Sequence, residues 1–274
     1  MSKVLTQKQV DQYREYGYLV NLPRIFTDDE VVAMRQGCDQ LLGLLKPGET
    51  SKEIREWHET SRFLYDVCMN DRILDYVEGL IGPNFYMWAS NFFIKDAHTH
   101  ETVGWHQDSF YWPLEPIKSC TVWIAFTHTS PDNGAMQVIP GTHNKGLAKH
   151  YHSKSTNSVL TLELGEKTVD TSKAIDICLQ PGEISIHDDK LIHGSSANTS
   201  DRPRIGLSVR YSPCDVRCDL NINPHFKTYH CRGTDRYRHN TVGEVPTKQF
   251  GRLYRDHLNV EESDYEDQVK TDWP

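Results

Sequence analysis

The sequence predicts a mainly β protein whose helices are confined to its first eighty or so residues, and three observations carry that reading. Up to about residue 82, apolar residues recur at helical spacing and helix caps punctuate the chain. From Asn84 the texture changes to short apolar runs separated by Gly, Pro, Asn and Asp, as expected of many strands joined by tight turns. Finally, 274 residues suit one all-β barrel or sandwich with helical additions, and neither a linker nor an internal repeat divides the chain. A single domain over 1–274 is expected, with helices over about 6–82, a β core over about 84–212 and a C-terminal extension over about 213–274.

Residues 6–17 read as a short amphipathic helix stopped by Gly17, with Tyr18-Leu19-Val20 extended after it. Thr27 and Glu30 have capping-box spacing. They open a helix to about Leu45 that gathers Val31, Met34, Cys38, Leu41, Leu42 and Leu45 on one face before Pro47-Gly48. A polar segment, 49–62, leads to Phe63-Leu64-Tyr65. A third helix then starts at Asp71 and closes at Gly79 or at Gly82-Pro83. Strands are expected at 84–96, 120–126, 136–139, 175–179, 184–186 and 204–211, with turns at 132–134 and 140–143. The stretch 144–174 has weak periodicity and reads as a long covering loop, and the acidic run 260–267 reads as a mobile tail.

Composition narrows the function. A formal charge of −8 argues against nucleic acid or an anionic membrane surface as partner. No apolar run approaches the ~18 residues of a membrane span, and the N-terminus carries no signal-peptide pattern, so a cytoplasmic protein is expected. The seven scattered cysteines read as reduced thiols; Cys214, Cys218, His230 and Cys231 pair too poorly for a convincing zinc site.

Gly104-Trp105-His106-Gln107-Asp108 carries the chemistry. On an extended strand, residues two apart share a face, so His106 and Asp108 would present an imidazole and a carboxylate to one point. An open Fe(II) site is built from two histidines and one carboxylate. The remaining ligand is expected from a distant strand, and His193, after the strand 184–186, is the best candidate. A 2-oxo acid cosubstrate would need a planar, permanently charged partner for its far carboxylate, a role that suits Arg204.

The set WHQD, NGAMQVIPGTH, PGEISIH and LIHGSSANTS, followed by Arg204, resembles the phytanoyl-CoA dioxygenase family of iron- and 2-oxoglutarate-dependent oxygenases, over roughly residues 8–212. The resemblance implies a double-stranded β-helix (jelly-roll, cupin-like) core with flanking N-terminal α-helices. It implies Fe(II) held by His106, Asp108 and His193, with 2-oxoglutarate and O2 as cosubstrates. Arg204 would bind the 5-carboxylate with help from Ser195, while Trp123 and Gln107 would line the cosubstrate pocket. Related halogenases carry Ala or Gly in place of the carboxylate; this chain keeps Asp108, which favours hydroxylation with release of succinate and CO2. The family includes acyl-CoA and small-metabolite hydroxylases; the chain's acidity and its lack of a basic patch for a CoA diphosphate suit a small polar metabolite such as an alkaloid or other natural product. An acyl-CoA and a non-catalytic, ligand-binding jelly-roll are the alternatives.

Other residues compete. His98-Thr99-His100 has same-face spacing but no carboxylate, and His187-Asp188-Asp189 would draw every ligand from one short segment. His187 therefore reads as a packed strand residue, and His128 and His143 as locally bonded. Trp105, Phe110, Tyr111 and Trp112 are either core or a substrate-pocket wall. Alternation along 204–211 puts Arg210 on the face of Arg204, where it would contact substrate, against a plain surface reading. The basic run 225–239 reads as a solvated face or a lid.

Overall fold

The computed structural model describes residues 4–165, 168, 170–254 and 271, so the acidic run 260–267 lies outside the described residues. The helices are α1 (Gln7–Tyr16), α2 (Asp28–Leu42), α3 (Arg62–Cys68) and α4 (Asp71–Ile81). The strands are β1 (Tyr18–Leu19), β2 (Phe85–Lys95), β3 (Val103–His106), β4 (Leu114–Glu115), β5 (Cys120–Ala125), β6 (Met136–Val138) and β7 (His150–His152). They continue with β8 (Leu162–Leu164), β9 (Ile175–Ile177), β10 (Ile184–Asp188), β11 (His193–Ser195), β12 (Arg204–Pro213), β13 (Arg217–Cys218) and β14 (Tyr229–Arg232).

The helix ends are where the caps put them. Thr6 and Gln9 close a reciprocal capping box on α1, and Gly17, at φ 82°, donates its N–H back to the Tyr13 carbonyl. Thr27 and Glu30 do the same for α2, which ends at Leu42, a turn short of the expected Leu45. Phe63-Leu64-Tyr65 belongs to α3, a helix that the polar lead-in obscured; its seven residues are too few for a readable period. The expected loop 144–174 holds the hairpin β7–β8, whose short strands pair His150–His152 with Leu162–Leu164.

A six-stranded antiparallel sheet, ordered β1-β10-β5-β12-β2-β14, faces a four-stranded one, ordered β3-β11-β6-β9. Together they form the jelly-roll. The two faces of the large sheet do different work, and strand periodicity divides them. On β5 the side chains of Val122 and Ile124 join the helices' apolar faces, including Val31, Met34, Leu41, Ile73 and Val77, in the main core. Their neighbours Trp123 and Ala125 point between the sheets, against Met136, Val138 and Ile177. On β12, Ile205, Leu207, Val209 and Tyr211 enter the main core, leaving Arg204, Gly206, Ser208 and Arg210 for the inter-sheet side.

Because Ile124 has no solvent exposure and sits where helices meet sheet, Ile124→Ala leaves a cavity that the surrounding layers cannot close. The expected loss is about 2–5 kcal/mol. Urea titration at unchanged m-value measures it, and a loss under about 1 kcal/mol would mean that this layer is loosely packed.

Candidate metal centre

His106 ends β3, and Gln107 keeps the backbone extended at φ −119° and ψ 123°; Asp108 then opens a 3-10 turn through Tyr111. Asp108 is thus just past the strand rather than on it, yet the two-residue alternation survives long enough to aim its carboxylate beside His106. His193 opens β11 and pairs directly opposite His106, so the chain register brings the third group across the ladder.

The three groups converge. His106 Nε2 lies 3.6 Å and His193 Nε2 3.9 Å from Asp108 Oδ1, and the imidazole centroids are 4.1 Å apart. Each ring is oriented by its own backbone: His106 Nδ1 donates to the Gly104 carbonyl and His193 Nδ1 to the Leu191 carbonyl, both at 2.9 Å. A carbonyl only accepts, so the proton belongs on Nδ1 and the lone pair on Nε2, facing the centre. Burial, then the charge of His106, lowers the His193 pKa well below the ordinary range and keeps the ring neutral. Burial alone would raise the Asp108 carboxyl, but the Arg210 guanidinium and the His106, His187 and His193 rings outweigh it and hold the group ionised. Two imidazoles and one carboxylate, with ligand atoms all within 4.8 Å of one another, could hold an Fe(II)-like ion. Among the described residues no other His/Cys/Asp/Glu group does so, and Cys214, Cys218 and Cys231 are free thiols.

Around this centre the large sheet supplies further groups. Thr121 donates its hydroxyl to Asp108 Oδ2 at 3.2 Å, His187 Nε2 stands 3.7 Å from the same oxygen, and Arg210 lies 3.9 Å from Oδ1. The cavity over the triad is walled by Trp123, Ser195, Arg204, Ser208 and Arg210 as well as by His187. Ser195 Oγ, Arg204 Nε, Arg210 Nε and both ring nitrogens of His187 are buried without a hydrogen-bond partner. Buried polar atoms left unpaired cost about 1–3 kcal/mol each, so so many in one cavity mark a site built for a polar ligand. Arg204 stacks over the Trp123 indole at 5.5 Å, an approach that Gly206 permits: a Cβ there would fall 1.8 Å from the ring.

Several expectations need correction. Gln107 does not line the cavity. Its side-chain amide donates to the carbonyls of Gly146 and Lys190 and accepts from Ala148 N, which ties two loops beneath the site. Trp105 packs against Ile139, Ala148, Leu164 and Ile192, outside the cavity. Phe110 stacks on His150 at 3.9 Å, and Tyr111 donates its hydroxyl to the Leu162 carbonyl, with its ring 5.9 Å from His106. The 3-10 turn rotates this aromatic group into the β7–β8 hairpin, so it supports the site from behind instead of walling it. Arg210, conversely, is buried in the cavity and stacked 5.0 Å over Trp112, not on the surface. His98 is exposed and paired with Asp201, while His143 bonds the Arg14 carbonyl. Thr121 went unread because nothing near it in sequence marks a site, and His187, read as a packed strand residue, faces the cavity; the pairing of β5 and β10 brings both beside Asp108.

The sequence profile of phytanoyl-CoA dioxygenase (PhyH) matches residues 13–206. Similar proteins include the peroxisomal phytanoyl-CoA dioxygenase of Mus musculus, 25% identical over 242 residues, which cover 79% of this chain and 71% of that protein. The ectoine dioxygenase of Sphingopyxis alaskensis is 24% identical over 240 residues, 78% of each. Among solved structures, the apo form of the non-heme monooxygenase ThoJ superposes with a TM-score of 0.76 at 22% identity over 95% of this chain and 98% of that one. CytC3 does so with a TM-score of 0.64 at 26% identity, over 93% and 98%.

His150 offers a pH test of the packing behind the site. It is fully buried, accepts the Gln107 N–H, and its pKa is pushed down to about 3, first by burial and then by His106. The native state therefore refuses a proton that the unfolded chain takes up near pH 6.5, so this stabilisation is complete above about 6.5 and is lost on acidification. Between about pH 6.5 and 5, His150 should remove about 1.4 kcal/mol of stability per pH unit, and His150→Gln should flatten that slope in urea titrations. An unchanged slope would contradict the buried neutral ring.

Proposed function

The chain belongs to the phytanoyl-CoA dioxygenase family of iron- and 2-oxoglutarate-dependent dioxygenases, and from that premise we propose that it hydroxylates a C–H bond of a small polar metabolite, with release of succinate and CO2. The observation that carries the reading is the convergence of His106, Asp108 and His193 at the floor of a cavity whose walls hold two buried arginines. In this reading the triad holds Fe(II), which when bound supplies the redox chemistry that couples 2-oxoglutarate decarboxylation to use of O2.

The residues divide the remaining work. Arg204 and Ser195, with unpaired donors in the same cavity, take the 5-carboxylate of 2-oxoglutarate, and Trp123 forms the apolar floor under that guanidinium. Thr121 fixes Asp108 Oδ2 by a hydrogen bond and leaves Oδ1 turned to the imidazoles, which favours one-oxygen ligation. Asp108 fills the position a halide would need, which favours hydroxylation over halogenation. Arg210, near Asp108 Oδ1, and His187, near Oδ2, are polar groups available to orient a substrate. A small polar substrate suits that lining. An acyl-CoA would add a diphosphate, for which the net charge of −8 offers little general attraction.

Aerobic incubation with Fe(II), 2-oxoglutarate and a panel of amino-acid, alkaloid and acyl-CoA substrates should release succinate. Asp108→Ala and His193→Ala should each reduce it to background. Arg204→Met, which removes a bidentate charge-assisted contact of about 3 kcal/mol, should raise KM for 2-oxoglutarate about a hundredfold while Mn(II) affinity is kept. Wild-type succinate output from Asp108→Ala, or chloride found in the product, would overturn the reading.

A further inference from the structure

Arg210 is firmly held, yet half of its hydrogen-bonding capacity is unused. It lies on the cavity face of β12, 6% exposed, between Thr121 of β5 and Ala89 of β2. Its guanidinium stacks 5.0 Å over the Trp112 ring, which Trp88 braces edge-on at 4.8 Å. Nη1 donates at 2.8 Å to the side-chain carbonyl of Asn91, whose own amide nitrogen donates to the Ser90 carbonyl at 2.7 Å. The opposite edge is open. Nε is buried without a hydrogen-bond partner, and Nη2 stands 3.9 Å from Asp108 Oδ1, too far for a hydrogen bond. These two nitrogens form the side of the guanidinium fork, whose parallel N–H groups match both oxygens of one carboxylate.

Charge balance points to the same kind of ligand. Among the groups lining the cavity, Asp108 is the single acid against Arg204 and Arg210. With a divalent ion at the triad and 2-oxoglutarate bound, the ion and the dianion cancel, Asp108 and Arg204 cancel, and Arg210 is left over. Arg55 and Glu56, the charges that reach it from the segment before α3, oppose each other. A buried cation without a counter-charge is costly, and one negative charge on the substrate relieves it. An ammonium group would add to the imbalance instead.

We propose that Arg210 determines substrate specificity, and that the substrate is a carboxylic acid whose carboxylate lies side-on against Nε and Nη2. The inference rests on the reading of the triad and Arg204 given above, and narrows its small polar metabolite to acids, amino acids included. Because Arg210 is already fixed by Trp112 and Asn91, it gives up little side-chain freedom when the acid binds. Its nearness to Asp108 also places the carbons closest to the carboxylate beside the triad.

The test compares three probes of similar size, butyrate, butyramide and butylammonium, on protein loaded with Mn(II) and saturating 2-oxoglutarate in the absence of O2. Paramagnetic broadening of the probe's own proton resonances by Mn(II) reads binding near the triad without any turnover. Butyrate should be broadened at concentrations about tenfold or more below those butyramide needs, as a paired charge-assisted contact implies, and butylammonium should show no broadening. Arg210→Met should abolish the preference for butyrate over butyramide, and Arg210→Lys, which keeps the charge without the fork, should retain only part of it. Calorimetric binding of 2-oxoglutarate reports whether each variant is folded, and the wild-type comparison stands by itself if one is not. Equal broadening of butyrate and butyramide, preference for butylammonium, an unchanged preference in Arg210→Met, or butyrate broadening that saturating 2-oxoglutarate removes would each overturn the role of Arg210 while leaving cosubstrate binding intact. If the Mn(II)-loaded wild type binds no 2-oxoglutarate, the reading of the site falls and this proposal with it.

Discussion

The antiparallel register that sets His193 against His106 is the constraint on which the site depends. Side chains along a strand alternate, so a slip of one residue between β3 and β11 would turn one imidazole to the opposite face. Several contacts resist the slip. β11 is clamped on its other edge by β6, with His193 opposite Val138, and both imidazoles are pinned by hydrogen bonds to carbonyls two residues upstream. Gln107 adds a lock from below: one side-chain amide engages both the segment after His143 and the turn before His193. A residue between two ligands thus does its work by facing away from them.

The second dependence is on β12, a single strand that serves two environments. Its apolar alternates fill the main core against the helices, while Arg204, Ser208 and Arg210 enter the cavity. Burying two guanidinium groups is costly unless each has an anion or a π-face. Each has a ring, Trp123 for Arg204 and Trp112 for Arg210. Arg210 also has Asp108, at a distance beyond a direct hydrogen bond. The strand can carry such charge because its other face is firmly seated; Tyr211, fully buried, even bonds its hydroxyl to the Cys68 carbonyl of α3. The helical layer therefore stabilises a strand whose functional face is electrostatically expensive.

Much of this was legible in sequence because it obeys short-range rules. The caps at Thr6, Thr27 and Gly17 are local hydrogen-bond patterns, and the sharing of one face by Arg204 and Arg210 follows from strand alternation alone. The triad was legible once the order of motifs was taken with the chemistry of the donors. What escaped depends on partners brought from afar. Thr121 sits in a stretch whose sequence looks like ordinary strand, and only cross-strand pairing reveals it. The aromatic run Trp105 to Tyr111, open in sequence between core and pocket wall, was undecidable there for the opposite reason: adjacency to the ligands in sequence does not fix adjacency in space. The 3-10 turn beginning at Asp108 breaks the alternation there, and the rings go to the hairpin instead.

Asp108 joins these threads, because its two oxygens meet different surroundings. Oδ2 takes the Thr121 hydroxyl and faces His187, whereas Oδ1 faces the two ligand imidazoles and the Arg210 guanidinium. Without a metal, that one carboxylate is the only negative charge among the groups lining the cavity, and it must serve Arg210 as counter-ion. A divalent cation held by His106, Asp108 and His193 would compete with Arg210 for that carboxylate, and the cavity as a whole would become more positive. A dianionic cosubstrate would be the natural complement to that balance, and in the proposed reading Arg204 would meet its far carboxylate.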